Sequence, residues 1–136
     1  VTVHYMDEGI DTGPIIEVDR FEIDAKNETA QSLERKSHRK MVELFKKTLK
    51  RVKKEGILSS EKMSGGRHLS RNEMEALKKI QPGDDIDAKI RAFWFPPYDG
   101  AYIEIEGKNY TLVNRAILEN IEGDAEAIFK HTQKGS

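Results

Sequence analysis

His4-Tyr5-Met6-Asp7-Glu8-Gly9-Ile10-Asp11-Thr12-Gly13-Pro14 joins two β-branched segments, Val1-Thr2-Val3 before it and Ile15-Ile16 after it. The pattern predicts strand, loop and returning strand, because β-branched residues suit a pleated sheet while Gly and Pro punctuate it. The loop carries three carboxylates, Asp7, Glu8 and Asp11, and Asp11 stands seven residues after His4. Gly13 permits close backbone approach or a positive φ, and Pro14 fixes the chain as it re-enters the strand. Taken alone, an Asp in an Asp-Thr-Gly-Pro turn is more often a turn residue than a catalyst. A lone His on a strand is likewise more often a packing residue than a ligand.

Outward from this stretch, Val1 to Tyr5 is expected as one strand and Pro14 to Ile23 as a second extended segment. Ile16, Val18, Phe21 and Ile23 alternate imperfectly with charged residues, which predicts a bulge or bend near Asp19. Asn27 or Thr29 then caps a long helix. Along it Ala30, Leu33, Ser37, Met41, Leu44, Phe45, Thr48, Leu49 and Val52 recur at three- and four-residue steps, predicting an amphipathic helix laid on a core. Lys50, Arg51, Lys53 and Lys54 suit its carboxyl end, and Gly56 stops it. A polar connector over 59–69 contains Ser64-Gly65-Gly66. Ser70-Arg71-Asn72-Glu73 is a capping box opening a short helix, with Met74, Leu77 and Ile80 expected on its buried face and Pro82-Gly83 at its end. A further helix is predicted from Asp85 to Phe93, with Ile86, Ile90 and Phe93 on one side and Pro96-Pro97 as its stop. Ala101 to Ile105 and Asn109 to Val113 read as a hairpin around Glu106-Gly107-Lys108. Residues 116–129 suit a final short helix, and those from His131 onward a tail.

The chain has 136 residues, 37% apolar and 35% charged, enough for one domain with a modest core. Its 23 basic and 24 acidic side chains leave a net charge of −1, so no global field argues for nucleic acid or an anionic membrane. The basic run from Arg35 to Lys54 is interrupted by the buried face and by Glu43, and reads as a solvated helix surface. No apolar run is long enough to span a bilayer. Cys is absent, which removes disulfides and thiolate chemistry and suits a reducing compartment; a cytoplasmic location is the expectation. The absence of Cys also removes Cys-based metal sites, and no metal is expected.

The strand, His4, the acidic loop and Asp11-Thr12-Gly13-Pro14 together strongly resemble the folate-dependent formyltransferases. A second segment points the same way: Asp85-Ile86-Asp87-Ala88-Lys89-Ile90-Arg91-Ala92-Phe93, followed by Phe95-Pro96-Pro97-Tyr98-Asp99-Gly100-Ala101-Tyr102, looks like the region that follows the catalytic domain in that family. The resemblance implies that Asp11 is catalytic, and that His4, Asp7, Glu8, Gly9, Ile10, Asp11 and Gly13 form the loop that holds the pterin of N10-formyltetrahydrofolate. The family's other catalytic residues lie in an earlier Asn-x-His-Pro segment. His38, His68 and His131 have no such context, and His4 matches a supporting histidine rather than the catalytic one. The residues that bind the acceptor are left open.

The expected fold class is therefore α/β. Residues 1–58 would be the C-terminal part of a Rossmann-like formyltransferase domain, 59–69 a linker, 70–115 a small helix–helix–hairpin extension, and 116–136 a helix and tail. Because Val1 opens directly on a strand, the chain is expected to begin partway through a domain, and because it lacks an Asn-x-His-Pro segment it is expected to be inactive by itself. The implied reaction moves a formyl group to an amine, with a nucleotide-linked amino sugar as the favoured acceptor because the Phe-Pro-Pro-Tyr wording and brief hairpin look more like those enzymes. Methionyl-tRNA is the runner-up and a glycinamide ribonucleotide the third. A homodimer is one option for the assembly. The rival reading is a non-catalytic assembly module whose orphaned sheet edge pairs with another chain, Asp11 then being only a turn residue.

Overall fold

A computed structural model describes residues 1–9, 11–65, 67 and 69–121. It is an α/β structure that divides into two compact units, one spanning Val1–Leu69 and one beginning at Ser70. The order of elements is β1 (Thr2–His4), β2 (Ile15–Val18), α1 (Ala30–Glu55), α2 (Arg71–Lys78), α3 (Ile86–Phe93), β3 (Tyr102–Ile105) and β4 (Lys108–Thr111). Among the described residues no helix is long and apolar enough to cross a membrane.

In the first unit β1 and β2 pair antiparallel, Thr2 opposite Val18, Val3 opposite Glu17 and His4 opposite Ile15. Ile16 is thus the extra residue of a bulge. The irregularity expected near Asp19 lies instead beside the loop, where bulges serve to re-aim side chains. The strands are also shorter than the apolar pattern suggested. The Asp19 N–H donates to the Val1 carbonyl and the Val1 nitrogen to the Asp19 carbonyl, at 2.9 and 2.8 Å, which extends the pairing one residue beyond the strands. From there Asp24 closes an Asx turn, accepting from the Lys26 N–H and the Asn27 amide. Lys36 anchors the segment to α1 by donating to the Glu22 carbonyl and the Glu28 carboxylate, and it lies 5.6 Å from the Phe21 ring centre.

Thr29 caps α1, and a reciprocal pair of hydrogen bonds with Ser32 completes its capping box. Gly56, at φ 77°, ends the helix, its N–H donating to the Val52 carbonyl. The apolar stripe expected to lie on a core is mostly uncovered: Leu44 and Thr48 are buried, whereas Met41, Phe45, Leu49 and Val52 are 43–58% exposed. The reason is length. Twenty-six residues extend about 39 Å, while strands of three and four residues span only about 10–14 Å. Glu17 fastens β2 to the helix through Lys47 and through Arg51 at 2.9 Å.

In the second unit Ser70 and Glu73 form the capping box of α2. The helix stops at Lys78, short of Pro82-Gly83, and the backbone then turns extended. Lys79 forms a parallel bridge to Tyr102, and the Ile80 N–H donates to the Tyr102 carbonyl at 2.9 Å. Ile80 therefore meets the core as a strand-like residue rather than on the helix face. Met74 and Leu77, expected to be buried, are 40% and 47% exposed, and Lys78 is buried in their stead. The core gathers Ile90, Ala101 and Ile117, with Ile80, Phe93, Trp94, Leu112 and Val113 packed around them. Ile86, expected beside Ile90, is half exposed. The β3–β4 hairpin turns in two residues rather than three, Glu106 and Gly107, both with positive φ. That geometry matches the right-handed twist of the strands. Asn114 caps a helical segment that reaches residue 121, its side chain accepting from the Ile117 N–H. The remainder of the expected 116–129 helix and the tail beyond it lie outside the described residues.

Candidate functional site

The loop between β1 and β2 is closed at its base by backbone. The Tyr5 N–H donates to the Pro14 carbonyl at 2.9 Å, and Gly13 is buried against the Tyr5 carbonyl so closely that a Cβ there would stand 1.7 Å from that oxygen. Only glycine fits. The Tyr5 side chain makes a second closure: its hydroxyl donates to the Leu58 carbonyl and accepts from the Leu58 N–H, both at 2.9 Å. Ile15 and Glu61 exchange two backbone hydrogen bonds of 2.7 and 2.8 Å, adding a third extended segment beside β2. The loop thus stands on a rigid platform.

Inside the loop, one Asp7 oxygen accepts from the Gly9 N–H at 3.0 Å and the Thr12 hydroxyl at 2.6 Å. The Thr12 hydroxyl, with help from the Gly9 N–H, holds the Asp7 carboxyl below the usual carboxylate range. That oxygen of Asp7 organises the loop. Glu8 and Gly9 are exposed at its crown, and Ile10, expected in the same loop, lies outside the described residues.

Asp11 has a φ of 53°, in the left-handed region that a non-glycine residue seldom adopts and Asp tolerates best. Its carboxylate is 86% exposed, with one oxygen 3.6 Å from Nε2 of His4. On its other side the His4 ring is 2.9 Å from the Tyr5 carbonyl through Nδ1. A carbonyl only accepts, so Nδ1 carries the proton of that bond and Nε2 is the nitrogen turned to Asp11. A separation of 3.6 Å exceeds a direct hydrogen bond; the two side chains face each other while the Asp11 carboxylate stays open to other donors. The structure thus brings His4, Asp11 and Gly13 together at one end of the hairpin. Tyr5 and Thr12 support the site and were not singled out in the sequence; the Asp7-Glu8-Gly9 wording announces an Asx turn, but nothing local points Tyr5 at Leu58. Among the described residues no group of three or more His or acidic side chains is placed to hold a metal ion.

Residues 1–49 match the family model described as formyl transferase. Over 109 residues the chain is 31% identical to a methionyl-tRNA formyltransferase of Janthinobacterium sp. (strain Marseille), covering 79% of this chain and 34% of the relative. Over 39 residues it is 49% identical to a phosphoribosylglycinamide formyltransferase of Bacillus subtilis (strain 168), covering 29% and 20%. The chain thus spans about a third and a fifth of the length of these relatives. A 4-N formyltransferase from Francisella tularensis has a similar structure, with a TM-score of 0.71 and 26% identity over 83% of this chain and 49% of that one. A sugar N-formyltransferase candidate from Mycobacterium tuberculosis shares the fold, with a TM-score of 0.67 and 17% identity over 83% and 51% of the two chains.

Proposed function

The chain belongs to the formyl transferase family, and on that premise we propose that it carries the loop side of the catalytic centre of an enzyme that moves a formyl group from N10-formyltetrahydrofolate to an amine. The observation that carries this reading is Asp11: an exposed carboxylate on a left-handed backbone, facing His4 from a loop braced by Tyr5 and Gly13. Backbone held in a sparsely populated conformation on a rigid base is a mark of functional sites.

The reaction forms a bond from the acceptor nitrogen to the formyl carbon and breaks the bond from that carbon to N10, while a proton passes from the attacking to the departing nitrogen. Such a transfer needs a positioned acid–base group. Asp11 fills that role by accepting from a histidine of an Asn-x-His-Pro segment and from a water in the relay. Neither that segment nor its histidine occurs in the 136 residues, so the chain by itself turns over no formyltetrahydrofolate. His4 acts as a positioning residue, its tautomer fixed by the Tyr5 carbonyl. The exposed crown at Glu8 and Gly9 and the backbone of Asp11 make no main-chain hydrogen bond with other main-chain groups among the described residues, which suits a flat ligand rich in donors and acceptors.

The acceptor we favour is a nucleotide-linked amino sugar, on the strength of the Phe95-Pro96-Pro97-Tyr98 wording and the single short hairpin of the second unit. The 109-residue match to a methionyl-tRNA formyltransferase favours methionyl-tRNA as the second reading. In a polypeptide carrying this chain together with an Asn-x-His-Pro segment, Asp11→Asn is expected to lower kcat about a hundredfold or more, with an unchanged circular dichroism spectrum. Turnover within threefold of the parent would overturn the catalytic reading and favour an assembly module. Supplying a thymidine-diphosphate amino sugar and charged methionyl-tRNA in parallel separates the two acceptors.

A further inference from the structure

The second unit holds an open cavity of about 450 Å³ between α2 and the β3–β4 hairpin. Its volume lies within the range of small-molecule sites, about 300–1,000 Å³. The register explains its lining. Side chains alternate along a strand, and Tyr102 pairs with Thr111 while Glu104 pairs with Asn109, so Tyr102, Asn109 and Thr111 share one face of the hairpin. Glu75 and Lys78 of α2 face the same space, and Asp99 closes it.

One feature sets this lining apart from ordinary surface. Lys78 is 7% exposed, which is rare for a lysine, and its ammonium is held by Glu75 at 2.9 Å. An ammonium has three donors and that carboxylate is its one partner among the described residues, so it has donor capacity to spare. Around it the half-buried Tyr102 and the exposed side chains of Asp99, Asn109 and Thr111 make no hydrogen bond among the described residues, so their polar atoms are available to a ligand in the cavity.

We propose that this cavity is a saccharide-binding site that takes a neutral pyranose of one or two rings. The charge balance selects the class. Glu75 and Asp99 outnumber Lys78, so the lining repels a phosphate-bearing or polyanionic ligand and accommodates hydroxyls. Each sugar hydroxyl both donates and accepts. Asp99 offers two acceptor oxygens to neighbouring hydroxyls, Asn109 offers a donor and an acceptor, Thr111 a hydroxyl, and Lys78 a donor backed by Glu75. Tyr102 supplies an apolar ring surface for the C–H face of a pyranose, with a phenol at its edge. This site is independent of the formyl-transfer loop and stands or falls separately from it.

The test is an amide chemical-shift titration of the whole chain with glucose, galactose, mannose and N-acetylglucosamine, alongside inorganic phosphate. Saturable shifts confined to residues 75–78, 99–102 and 109–111 are expected with at least one sugar and absent with phosphate. Asn109→Ala, at an exposed position, is expected to raise that Kd about fivefold, the loss of one hydrogen bond, with the rest of the spectrum unchanged. Failure of every sugar to saturate into the tens of millimolar, or shifts centred elsewhere, would overturn the proposal. Saturation by phosphate at Lys78 would overturn it too, by assigning the cavity to anions.

Discussion

Replacing Gly13 by alanine should open the loop at its base. A Cβ at Gly13 would lie 1.7 Å from the Tyr5 carbonyl oxygen, 2.8 Å from its carbon and 3.3 Å from Nδ1 of His4. A normal C···O contact is about 3.3 Å, so one strand must retreat by roughly 1.6 Å. The obstacle is backbone, which has no rotamer through which to escape. A retreat of that size breaks the 2.9 Å bond from the Tyr5 N–H to the Pro14 carbonyl. Overpacking costs about 1–3 kcal/mol and the lost hydrogen bond about 1 kcal/mol, so the substitution should destabilise by about 2–4 kcal/mol. Urea unfolding followed by far-ultraviolet circular dichroism reads α1, the main helix of that unit. Gly56→Ala is the control: Gly56 has φ +77° with nothing within 4 Å of a Cβ, so its cost is the left-handed backbone alone, about 1–2 kcal/mol. A change below about 0.5 kcal/mol for Gly13→Ala at constant m-value, the size of an ordinary surface substitution, would refute the close-approach argument. So would a cost no larger than that of Gly56→Ala.

Tyr5→Phe removes the hydroxyl that serves both the N–H and the carbonyl of the buried Leu58; at about 1 kcal/mol for each bond it should destabilise by about 2 kcal/mol, and an unchanged urea midpoint would show that water replaces it. The acid side is equally checkable. The Lys47 ammonium, opposed by burial and helped by Arg51, lowers the Glu17 carboxyl from its ordinary value, and Thr12 lowers Asp7 likewise. A depressed folded pKa means stability that is present above the ordinary carboxylate range and lost as pH falls through the folded value. Stability should therefore be flat from pH 7 to about 5 and fall below about pH 4, and Glu17→Gln should flatten part of that fall; an identical pH profile for parent and variant would contradict the assignment.

Much of the architecture was legible in the sequence, where local chemistry decides. The cap at Ser70, the cap of α1 at Thr29 (one of two candidates with Asn27), the stop at Gly56 and the hairpin around Gly107 each depend on one or two residues satisfying nearby backbone groups, which the residue types announce. The loop motif carried the family in the same way, through His4, Asp11, Gly13 and Pro14 in register. What was not legible is which face of each helix finds a partner. Periodicity gave α1 an apolar stripe from Ala30 to Val52, but burial needs opposing surface, and β1 and β2 reach only a part of it. Met74 and Leu77 carry the hydrophobic signal in α2, yet the turn at Lys79 leaves Lys78 buried instead.

The sequence alone thus determined the order of the elements and most of the helix caps, because those follow from interactions within a few residues, whereas the strand limits and the end of α2 did not follow from it. Only the tertiary structure decided that Tyr5 reaches across 53 residues to Leu58, that Ile16 is the bulged residue, and that Nε2 of His4 rather than Nδ1 faces Asp11. Those depend on strand register and on which groups remain to be paired once the chain has closed on itself, and neither is encoded by any one stretch of residues.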